Sequence, residues 1–478
     1  MLPIVQNKQK PAEKVQPPTP KDTTLDRTPV FTITGNKVFF ISLGCPRNLV
    51  DTEVMLGILL QAGYEIASEI GVADFIVINT CGFLEASRKE SVDTIKAALE
   101  DKKDSAKVIA TGCMVQTHSD VIKAECPEIH YLLGSGDLQG ILKAVETDTQ
   151  GTTITSARSF LEMGEVPRVV STPKHYAYLK IAEGCRKRCA FCIIPDIKGP
   201  LKSKPEEQIL KELQILLNQG VKEIILIAQD LGDYGKDIGH KRSEGLVQLL
   251  RNLLQKEPRD FWLRLLYLYP DEITDELIEL IKSEKRICHY LDMPIQHINN
   301  DLLKSMRRLT NREDIISTIT KLRREIPDIV IRTSLIVGFP GETEEQFQEL
   351  VEFVQNHPLE NIGIFKYSNE PKSHSAALPN QVTEEVKQKR LEYLVKIQQK
   401  NVKKTNKKLI GKRFTTIIEG YHPESKLLLR GRYYGQCPEI DGEILINDFR
   451  HVRSFGEHYT VEITDVSDYD LIGRVIMV

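Results

Sequence analysis

Three cysteines stand close together in the middle of the chain: Cys185, Cys189 and Cys192. The C-x3-C-x2-C spacing puts three thiolates on one short loop, where they can hold three corners of a [4Fe–4S] cubane and leave the fourth iron open to a small molecule. Zinc is the alternative, because C-x2-C pairs also bind zinc and His175 is a possible fourth ligand. No second C-x2-C pair lies nearby, so the spacing favours the cluster. The basic residues 186–188 are predicted to favour the thiolate form.

Three further cysteines each follow a predicted strand in the N-terminal part of the chain: Cys45, Cys81 and Cys113. Because the carboxyl ends of parallel strands meet at one edge of a sheet, these thiols come together although they are far apart in sequence. A single cysteine in such a place is usually a small buried residue. Three at equivalent strand ends predict a second metal site. Cys126, Cys288 and Cys437 have no such neighbours and are predicted to be structural.

Two α/β regions must position these cysteines. In the first, predicted strands at 38–43, 74–80, 107–111 and 131–133 alternate with predicted helices at 50–62, 86–100 and 119–125. This alternation predicts a parallel sheet with helices on its faces. In the second, six strand–helix units have strands at 176–182, 223–228, 262–267, 290–294, 330–337 and 362–367. Six such units predict a barrel or partial barrel, with chemistry just after each strand.

The two ends of the chain differ from these regions. Residues 1–34 contain six prolines and no hydrophobic periodicity, which predicts a disordered tail. Residues 381–409 are predicted to form a charged helix, and period-two runs after Gly411 predict a small antiparallel barrel or sandwich. The predicted organisation is a tail at 1–34, an N-terminal domain at 35–150, a central domain at 171–400 and a C-terminal domain at 403–478.

Composition excludes several classes of protein. The chain has 478 residues, with 64 Lys and Arg against 67 Asp and Glu, a balance of −3, which is not that of a basic nucleic-acid coat. A hydrophobic fraction of 41% excludes wholesale disorder. No apolar run approaches the roughly 18 residues of a membrane span. Nine cysteines in a chain of this length do not form a disulfide scaffold, so we expect a cytoplasmic protein with reduced thiols.

The triad at Cys185, Cys189 and Cys192 resembles that of the radical S-adenosylmethionine (SAM) superfamily, which has this spacing on the first loop of a partial (β/α)6 barrel. The resemblance implies that SAM chelates the open iron and that one electron cleaves it to methionine and a 5′-deoxyadenosyl radical. It also implies that Phe191 lies against the cofactor, with ordinary loop packing as the alternative. Gly338 and Gly341 lie where family members bring the backbone close to the adenosine, although a plain turn would use the same glycines.

Two cysteine triads followed by a small β domain resemble the methylthiotransferases, from about residue 36 to the end of the chain. Family members carry an auxiliary [4Fe–4S] cluster on the N-terminal triad and end in a TRAM domain that engages the substrate. The resemblance implies two uses of SAM, one to methylate sulfur on the auxiliary cluster and one to remove hydrogen from an unactivated C–H bond. Such a bond has no useful acidity, so a general base would not suffice.

Local sequence favours the family branch that acts on a ribosomal protein (RimO type) over the branch that acts on tRNA adenosine (MiaB type). Cys45 is followed by Pro46-Arg47-Asn48, whereas the tRNA branch usually has Gln-Met-Asn there. The resemblance implies methylthiolation of the β-carbon of one aspartate in small-subunit ribosomal protein S-twelve. The chain departs from the family pattern at Arg186, Ala190 and Cys437, and the last of these is expected to be an oxidation-prone surface thiol.

Charge supports this choice of substrate only in part. Residues 409–478 hold eight Lys/Arg and eleven Asp/Glu (8 − 11 = −3), whereas residues 186–204 hold six basic residues and one acid (6 − 1 = +5). An acidic barrel suits a basic ribosomal protein better than RNA, but the basic segment keeps tRNA open as the substrate. A non-enzymatic iron–sulfur or zinc module with an RNA-binding tail is the alternative from another class.

The resemblance also implies a set of partners. We expect ribosomal protein S-twelve or the assembled small subunit as substrate, an electron donor such as flavodoxin or ferredoxin, and a sulfur donor. No membrane is expected among the partners, because the sequence offers no span.

Overall fold

The computed structural model describes residues 35–155 and 167–477. The predicted tail at 1–34 lies outside these residues. The described residues form an N-terminal six-stranded sheet, a central six-stranded sheet, a C-terminal closed five-stranded barrel and one small two-stranded sheet. No helix in the described stretches is long and apolar enough to cross a membrane.

The N-terminal sheet is parallel throughout and has helices on both faces. Its strands are β1 (Lys37–Ser42), β2 (Glu65–Ile66), β3 (Phe75–Thr80), β4 (Lys107–Gly112), β5 (Tyr131–Gly134) and β6 (Gly151–Thr153), and its helices are α1 (Pro46–Gln61), α2 (Glu85–Asp101), α3 (Cys113–Glu125) and α4 (Ile141–Glu146). The strand order is β2-β1-β3-β4-β5-β6, and β3 is buried at every residue. Val77 packs with Val54 of α1 on one face, and Ile78 packs with Ile95 of α2 on the other.

Two helices of this domain begin earlier than the sequence predicted. Helix α1 begins at Pro46 instead of residue 50, and α3 begins at Cys113 instead of residue 119. Proline is well suited to the first helical position, and the first turns of both helices lack the apolar periodicity on which the prediction depended. In α3 the backbone also departs from helical geometry at His118. The consequence is that Cys45 and Cys113 lie at helix N-termini and not in open loops.

The central sheet forms an open partial barrel. Its strands are β7 (Tyr176–Lys180), β10 (Glu223–Ile227), β11 (Trp262–Leu265), β12 (Ile287–Asp292), β13 (Val330–Val337) and β14 (Asn361–Lys366). Two short strands after β7, β8 (Ala182–Glu183) and β9 (Lys202–Ser203), pair with each other in a separate antiparallel sheet. The helices are α5 (Ile194–Lys198), α6 (Glu206–Asn218), α7 (Glu244–Lys256), α8 (Asp275–Ser283), α9 (Asn300–Ser305), α10 (Arg312–Glu325) and α11 (Glu344–Asn356). The strand order β14-β13-β12-β11-β10-β7 is that of six successive parallel units, so the predicted partial (β/α)6 barrel is confirmed.

A long helix, α12 (Glu384–Lys407), connects the central sheet to the C-terminal barrel. The strands of that barrel are β15 (Arg413–His422), β16 (Ser425–Tyr433), β17 (Ile444–Asp448), β18 (His458–Ser467) and β19 (Asp470–Val475). The prediction of a wholly antiparallel barrel was wrong in one respect, because β17 and β19 pair in parallel. Strand β19 was also not predicted, and it is the strand that closes the barrel.

The C-terminal barrel packs across the amino end of the central sheet. Arg432 contacts Glu223, the first residue of β10, at 2.8 Å, and Tyr290 of β12 donates a hydrogen bond to Asp441 at 2.7 Å. Cys437 is 1% exposed in this interface, so the expectation of an oxidation-prone surface thiol was wrong. The N-terminal domain lies at the opposite, carboxyl end of the central sheet.

Candidate active site

The N-terminal triad lies at the carboxyl edge of its sheet, on three adjacent strands. Cys45 caps α1, Cys81 directly follows β3, and Cys113 is the first residue of α3. Two glycines permit the three loops to touch. A Cβ atom at Gly44 would lie 2.9 Å from the Cβ of Cys81, and one at Gly82 would lie 2.7 Å from the Cα of Met114. Only glycine allows approaches this close.

Asn48 joins the same three loops through its side chain. Its Oδ1 accepts a hydrogen bond from Cys113 Sγ at 3.7 Å, while its Nδ2 donates to the carbonyls of Leu43 at 2.8 Å and Thr80 at 3.1 Å. Asn48 is buried, so these bonds are shielded from water and hold the loops in one arrangement. The strand-end prediction for Cys45, Cys81 and Cys113 therefore corresponds to a single site in the structure.

The thiols of this triad differ in their electrostatic surroundings. Burial acts to raise the pKa of Cys45, but the Arg47 charge, the backbone N–H groups of Asn48 and Arg47, and the Lys198 charge outweigh it and lower that pKa. Burial raises the pKa of Cys113 to about 12, against the opposing charge of Lys198. A thiol at a helix N-terminus is also favoured as the thiolate, so Cys45 is the member best prepared to bind a metal.

The central triad lies on the loop between β8 and α5. The backbone N–H of Cys185 donates to the carbonyl of Gly199 at 3.3 Å, which closes the loop, and Cys192 N–H donates to the carbonyl of Cys189 at 3.1 Å. Two side chains approach Cys189 Sγ, Tyr269 Oη at 3.4 Å and Arg308 Nη1 at 3.5 Å. The guanidinium of Arg308 also lies 4.0 Å above the Tyr269 ring.

The basic residues beside this triad do not act as the sequence suggested. Lys187 pairs with Asp230 at 3.2 Å, Asp271 at 2.8 Å and Glu272 at 3.1 Å. Burial raises the pKa of Cys185 to about 12, and the charges of Asp233 and Asp230 add to this effect. The prediction that residues 186–188 favour thiolates was therefore wrong for Cys185. Iron binding reverses this preference, because a coordinated thiol is deprotonated.

The structure removes the fourth ligand that a zinc site at the central triad would need. His175, the possible fourth zinc ligand, instead contacts Glu419 at 3.0 Å in the interface with the C-terminal barrel.

The two triads lie next to each other across the domain boundary. Arg47 donates a hydrogen bond to the carbonyl of Ala228, at the carboxyl end of β10, at 2.8 Å. Cys113 packs in one apolar cluster with Ile193, the residue after Cys192. The positive charge of Arg47 acts on both Cys45 and Cys192. The carboxyl edges of both sheets therefore face each other, with the two triads near the boundary between the domains.

Four buried charges connect the segments that carry the triads: Asp51, Lys180, Glu183 and Lys198. Lys198 contacts Asp51 at 2.9 Å and Glu183 at 3.4 Å, and Lys180 contacts Glu183 at 2.7 Å and also pairs with Asp51. Asp51 belongs to α1, Glu183 precedes Cys185, and Lys198 ends α5 after Cys192. Buried pairs of this kind have strict geometry, so the tetrad fixes the distance between the two triads.

The three residues expected near SAM have defined positions. Phe191 packs beside a cluster that includes Ala190, Met306 and Phe339. Gly338 N–H donates to the Glu342 carboxylate, and Gly341 N–H donates to the carbonyl of Asn380 at 2.9 Å. A Cβ atom at Gly338 would lie 2.3 Å from Lys387, whereas nothing lies within 4 Å of one at Gly341. Close packing of α12 thus accounts for the glycine at 338.

Other groups at the carboxyl end of the barrel fit an organic ligand. Both polar atoms of the Gln229 amide are buried and have no hydrogen-bond partner among the described residues. Tyr267 and Gln296 adopt positive φ angles of 64° and 73°, a strain that persists where surrounding structure requires it. Gln229, Tyr267 and Gln296 come just after β10, β11 and β12, and sequence analysis can find them by that position. Sequence analysis could not find Arg308 in this way, because it lies beyond α9 and comes close to Cys189 only in the folded protein.

These features define a class of protein: a radical SAM barrel with a second cysteine triad on an α/β domain and a small β-barrel. Residues 37–134 match Uncharacterized protein family UPF0004, residues 179–354 match the Radical SAM superfamily, and residues 410–476 match the TRAM domain. The solved radical SAM methyltransferase TsrM from Kitasatospora setae superposes with a TM-score of 0.53 at 16% identity, covering 71% of this chain and 77% of that chain. This likeness supports the fold.

Relatives then define the family within that class. The protein named Ribosomal protein uS12 methylthiotransferase RimO from Protochlamydia amoebophila (strain UWE25) is 65% identical over 100% of both chains. The protein of the same name from Bdellovibrio bacteriovorus is 44% identical over 93% of this chain and 99% of that one. The chain belongs to the RimO family of methylthiotransferases. It is a sulfur-transferring radical SAM enzyme whose cofactors are two [4Fe–4S] clusters and SAM, which confirms the predicted family, enzyme class and cofactors.

Proposed function

We propose that this protein transfers a methylthio group to the β-carbon of an aspartate in ribosomal protein uS12. The observation that carries the proposal is the juxtaposition of the two cysteine triads, which lie at facing edges of two sheets. Relatives that span the whole chain are named for this reaction on this protein. A radical made at one triad must act on the same substrate atom that receives sulfur from the other, so the chemistry requires the two triads to lie near each other.

The proposal assigns each triad a cluster. Cys45, Cys81 and Cys113 would hold the auxiliary cluster, and Cys185, Cys189 and Cys192 would hold the cluster that binds SAM. When bound, these groups supply the sulfur, the methyl group and the hydrogen-abstracting radical. The chain orients them through the Asn48 bonds and the charge tetrad, and Ile193 and Ile197 pack beside Cys113, which excludes water from the reacting space.

SAM would lie at the carboxyl end of the central barrel. We propose that Phe191 packs against it and that the backbone around Gly338 and Gly341 borders its adenosine. The unpartnered amide of Gln229 supports a polar ligand here, because a buried amide without a partner costs about 1–3 kcal/mol. The proposed organisation is a methylthiotransferase domain at 35–150, a radical SAM domain at 171–400 and a TRAM domain at 403–478, with a tail before them.

Electrons would enter on the outer side of the Cys185–Cys189 loop. A cavity of about 430 Å³ lies there, lined in part by Arg186, Arg188 and Arg307. These three arginines are exposed, and none pairs with a carboxylate among the described residues. A small acidic electron carrier, such as a flavodoxin or a ferredoxin, has the complementary charge. A sulfur donor and a cytoplasmic location complete the proposal.

The substrate would be uS12 alone or in the assembled small subunit. Within residues 409–478, Glu419, Asp441 and Arg432 are buried at the interface with the central domain. Without these three residues, the segment has 7 basic side chains (8 − 1) and 9 acidic ones (11 − 2), which is a net charge of −2. This mildly acidic barrel suits a basic ribosomal protein better than it suits RNA.

In the test, the reconstituted and reduced enzyme is mixed with SAM, small ribosomal subunits and bulk tRNA. Mass spectrometry then asks which substrate gains a methylthio group in place of hydrogen. Gain on one aspartate of uS12 is the expected result. Gain on tRNA adenosine alone would contradict the proposed substrate and leave the chemistry in place.

A further inference from the structure

We propose that Arg47 binds the side-chain carboxylate of the substrate aspartate and so determines the preference for that residue. The proposal deepens the proposed function and rests on it. It concerns an arginine of the N-terminal domain that reaches the strand ends of the central barrel.

The position of Arg47 is fixed by both domains. It lies in the first turn of α1, two residues after Cys45, and donates from Nη1 to the carbonyl of Ala228 at 2.8 Å. Its guanidinium lies 4.7 Å above the ring of Tyr267, which is itself held at a positive φ of 64°. The guanidinium is thus held flat between a thiol of the first triad and the strand ends of the barrel.

The charge of Arg47 is not matched by a carboxylate partner in the described chain. Glu183 acts on it electrostatically, but that carboxylate contacts Lys180 at 2.7 Å and Lys198 at 3.4 Å instead. Asp292, at the end of β12, also interacts with the Arg47 charge, but its carboxylate lies 3.7 Å from Arg332. Burying a charge without a partner is costly, so a half-buried guanidinium that has no carboxylate partner among the described residues points to an anion that arrives with a ligand.

The remaining donors of Arg47 suit a carboxylate. A guanidinium has five N–H donors in one plane; Ala228 takes one and Cys45 accepts from the same side chain. The others can hold a carboxylate in the two-bond arrangement that arginine favours. In aspartate the β-carbon is bonded directly to the carboxyl carbon. A carboxylate anchored at Arg47 therefore places the reacting carbon near Cys45 and the strand ends of the central barrel.

Arg47 also contacts a thiol of the auxiliary site, so a role in adjusting the cluster is the competing explanation. The two roles have different consequences. An effect on the cluster changes turnover of every substrate by the same factor, whereas a bond to the substrate carboxylate matters only when that carboxylate is present. The ratio of rates for an aspartate and an asparagine substrate separates them.

The experiment compares Arg47→Met and Arg47→Lys with the unaltered enzyme, each loaded with both clusters. The substrates are uS12 with its target aspartate and uS12 with asparagine at that position. Binding is measured as the Kd of each form by fluorescence anisotropy, and transfer as kcat/KM by mass spectrometry. Arg259→Met is the control, because Arg259 is an exposed arginine that pairs with Glu257.

We expect the unaltered enzyme and Arg259→Met to prefer aspartate by about 10- to 100-fold in both measurements, the range for a bond between charged groups. Arg47→Met should lose most of this preference, and Arg47→Lys should keep part of it because the charge remains but the planar fork is lost. A preference unchanged in Arg47→Met would overturn the proposal. Failure of the unaltered enzyme to modify uS12 at all would instead overturn the proposed function.

Discussion

Asp51 Oδ2 accepts a hydrogen bond from Lys198 Nζ at 2.9 Å, and this bond joins the helix that begins after Cys45 to the helix that follows Cys192. Both side chains are buried. The position of one triad relative to the other is therefore held by buried contacts and does not depend on a flexible contact at the surface. A reaction that passes a group from one site to the other gains from a fixed distance, since misplacement of reacting atoms is costly.

Removing one member of this charge tetrad should destabilise the protein. Asp51→Asn leaves Lys180 and Lys198 with Glu183 as their remaining carboxylate, and breaking a buried pair costs about 3–5 kcal/mol. We expect the free energy of unfolding in urea to fall by about 3 kcal/mol. The control is Asp93→Asn, which removes an exposed pair with Lys89 and should cost less than about 1 kcal/mol. Equal effects of the two substitutions would show that the tetrad does not hold the domains together.

The two triads should fail in different ways when a ligand is removed. Cys185→Ala should abolish SAM cleavage, whereas Cys45→Ala should spare cleavage and stop sulfur transfer. Cys126→Ala is the control, because Cys126 lies in the same domain as Cys45 but outside the triad. Anaerobic iron analysis should give about eight irons for the control and fewer for the other two variants. Sulfur transfer by Cys45→Ala would contradict the assignment of the auxiliary site.

Much of the fold was predictable because its signals are local. Buried strands such as Phe75–Thr80 are continuous apolar runs, and the alternation of strands with helices is typical of parallel sheets. The cysteine triads were predictable for a related reason, since parallel strands that end in cysteine must bring the thiols to one edge. Helix starts were less predictable, because the turns that carry Arg47 and Cys113 are not amphipathic.

The electrostatics of the site could not be predicted from sequence. Whether Lys187 faces the cysteines or a group of carboxylates depends on Asp230 and Asp271, which are 43 and 84 residues away along the chain. Arg47 and Arg308 come to lie beside thiols only when two domains and a distant loop are in place. The same holds for Cys437, whose burial depends on the barrel packing against Tyr290 and its neighbours. Long-range contacts of this kind leave no periodic pattern in the chain.

The exposed arginines around the cavity should govern delivery of electrons. Reversing two charges in Arg186→Glu/Arg188→Glu removes attraction for an acidic carrier, so we expect SAM cleavage driven by flavodoxin to fall at least tenfold at low salt. Raising the ionic strength should slow flavodoxin-driven SAM cleavage by the unaltered enzyme, and the difference in rate between it and the double variant should become smaller.

Dithionite provides the control for this prediction, because a small reductant does not need the same docking surface. With dithionite the double variant should cleave SAM at nearly the rate of the unaltered enzyme. A loss of equal size with both reductants would mean that the substitutions damage the cluster and not the docking of the carrier.

Glu419 should make the contact between the C-terminal barrel and the central domain dependent on pH. Burial acts to raise its pKa, but the charge of Arg432 and the hydrogen bond from His175 lower that pKa from 4.5 to about 2. Because the folded pKa lies below the unfolded one, the carboxylate stabilises the fold above about pH 4.5, and this stabilisation is lost as the pH falls toward 2. Glu419→Gln removes it at every pH.

The measurement is urea unfolding of both proteins at pH 6 and pH 3.5. Glu419→Gln should be less stable at pH 6, and the difference in free energy of unfolding should shrink by about 1.4 kcal/mol at pH 3.5, one unit below the unfolded pKa. Glu424→Gln is the control, since Glu424 is exposed and should show no such change. A difference between the unaltered protein and Glu419→Gln that stays constant with pH would mean that Glu419 ionises in the folded protein as it does in the unfolded chain.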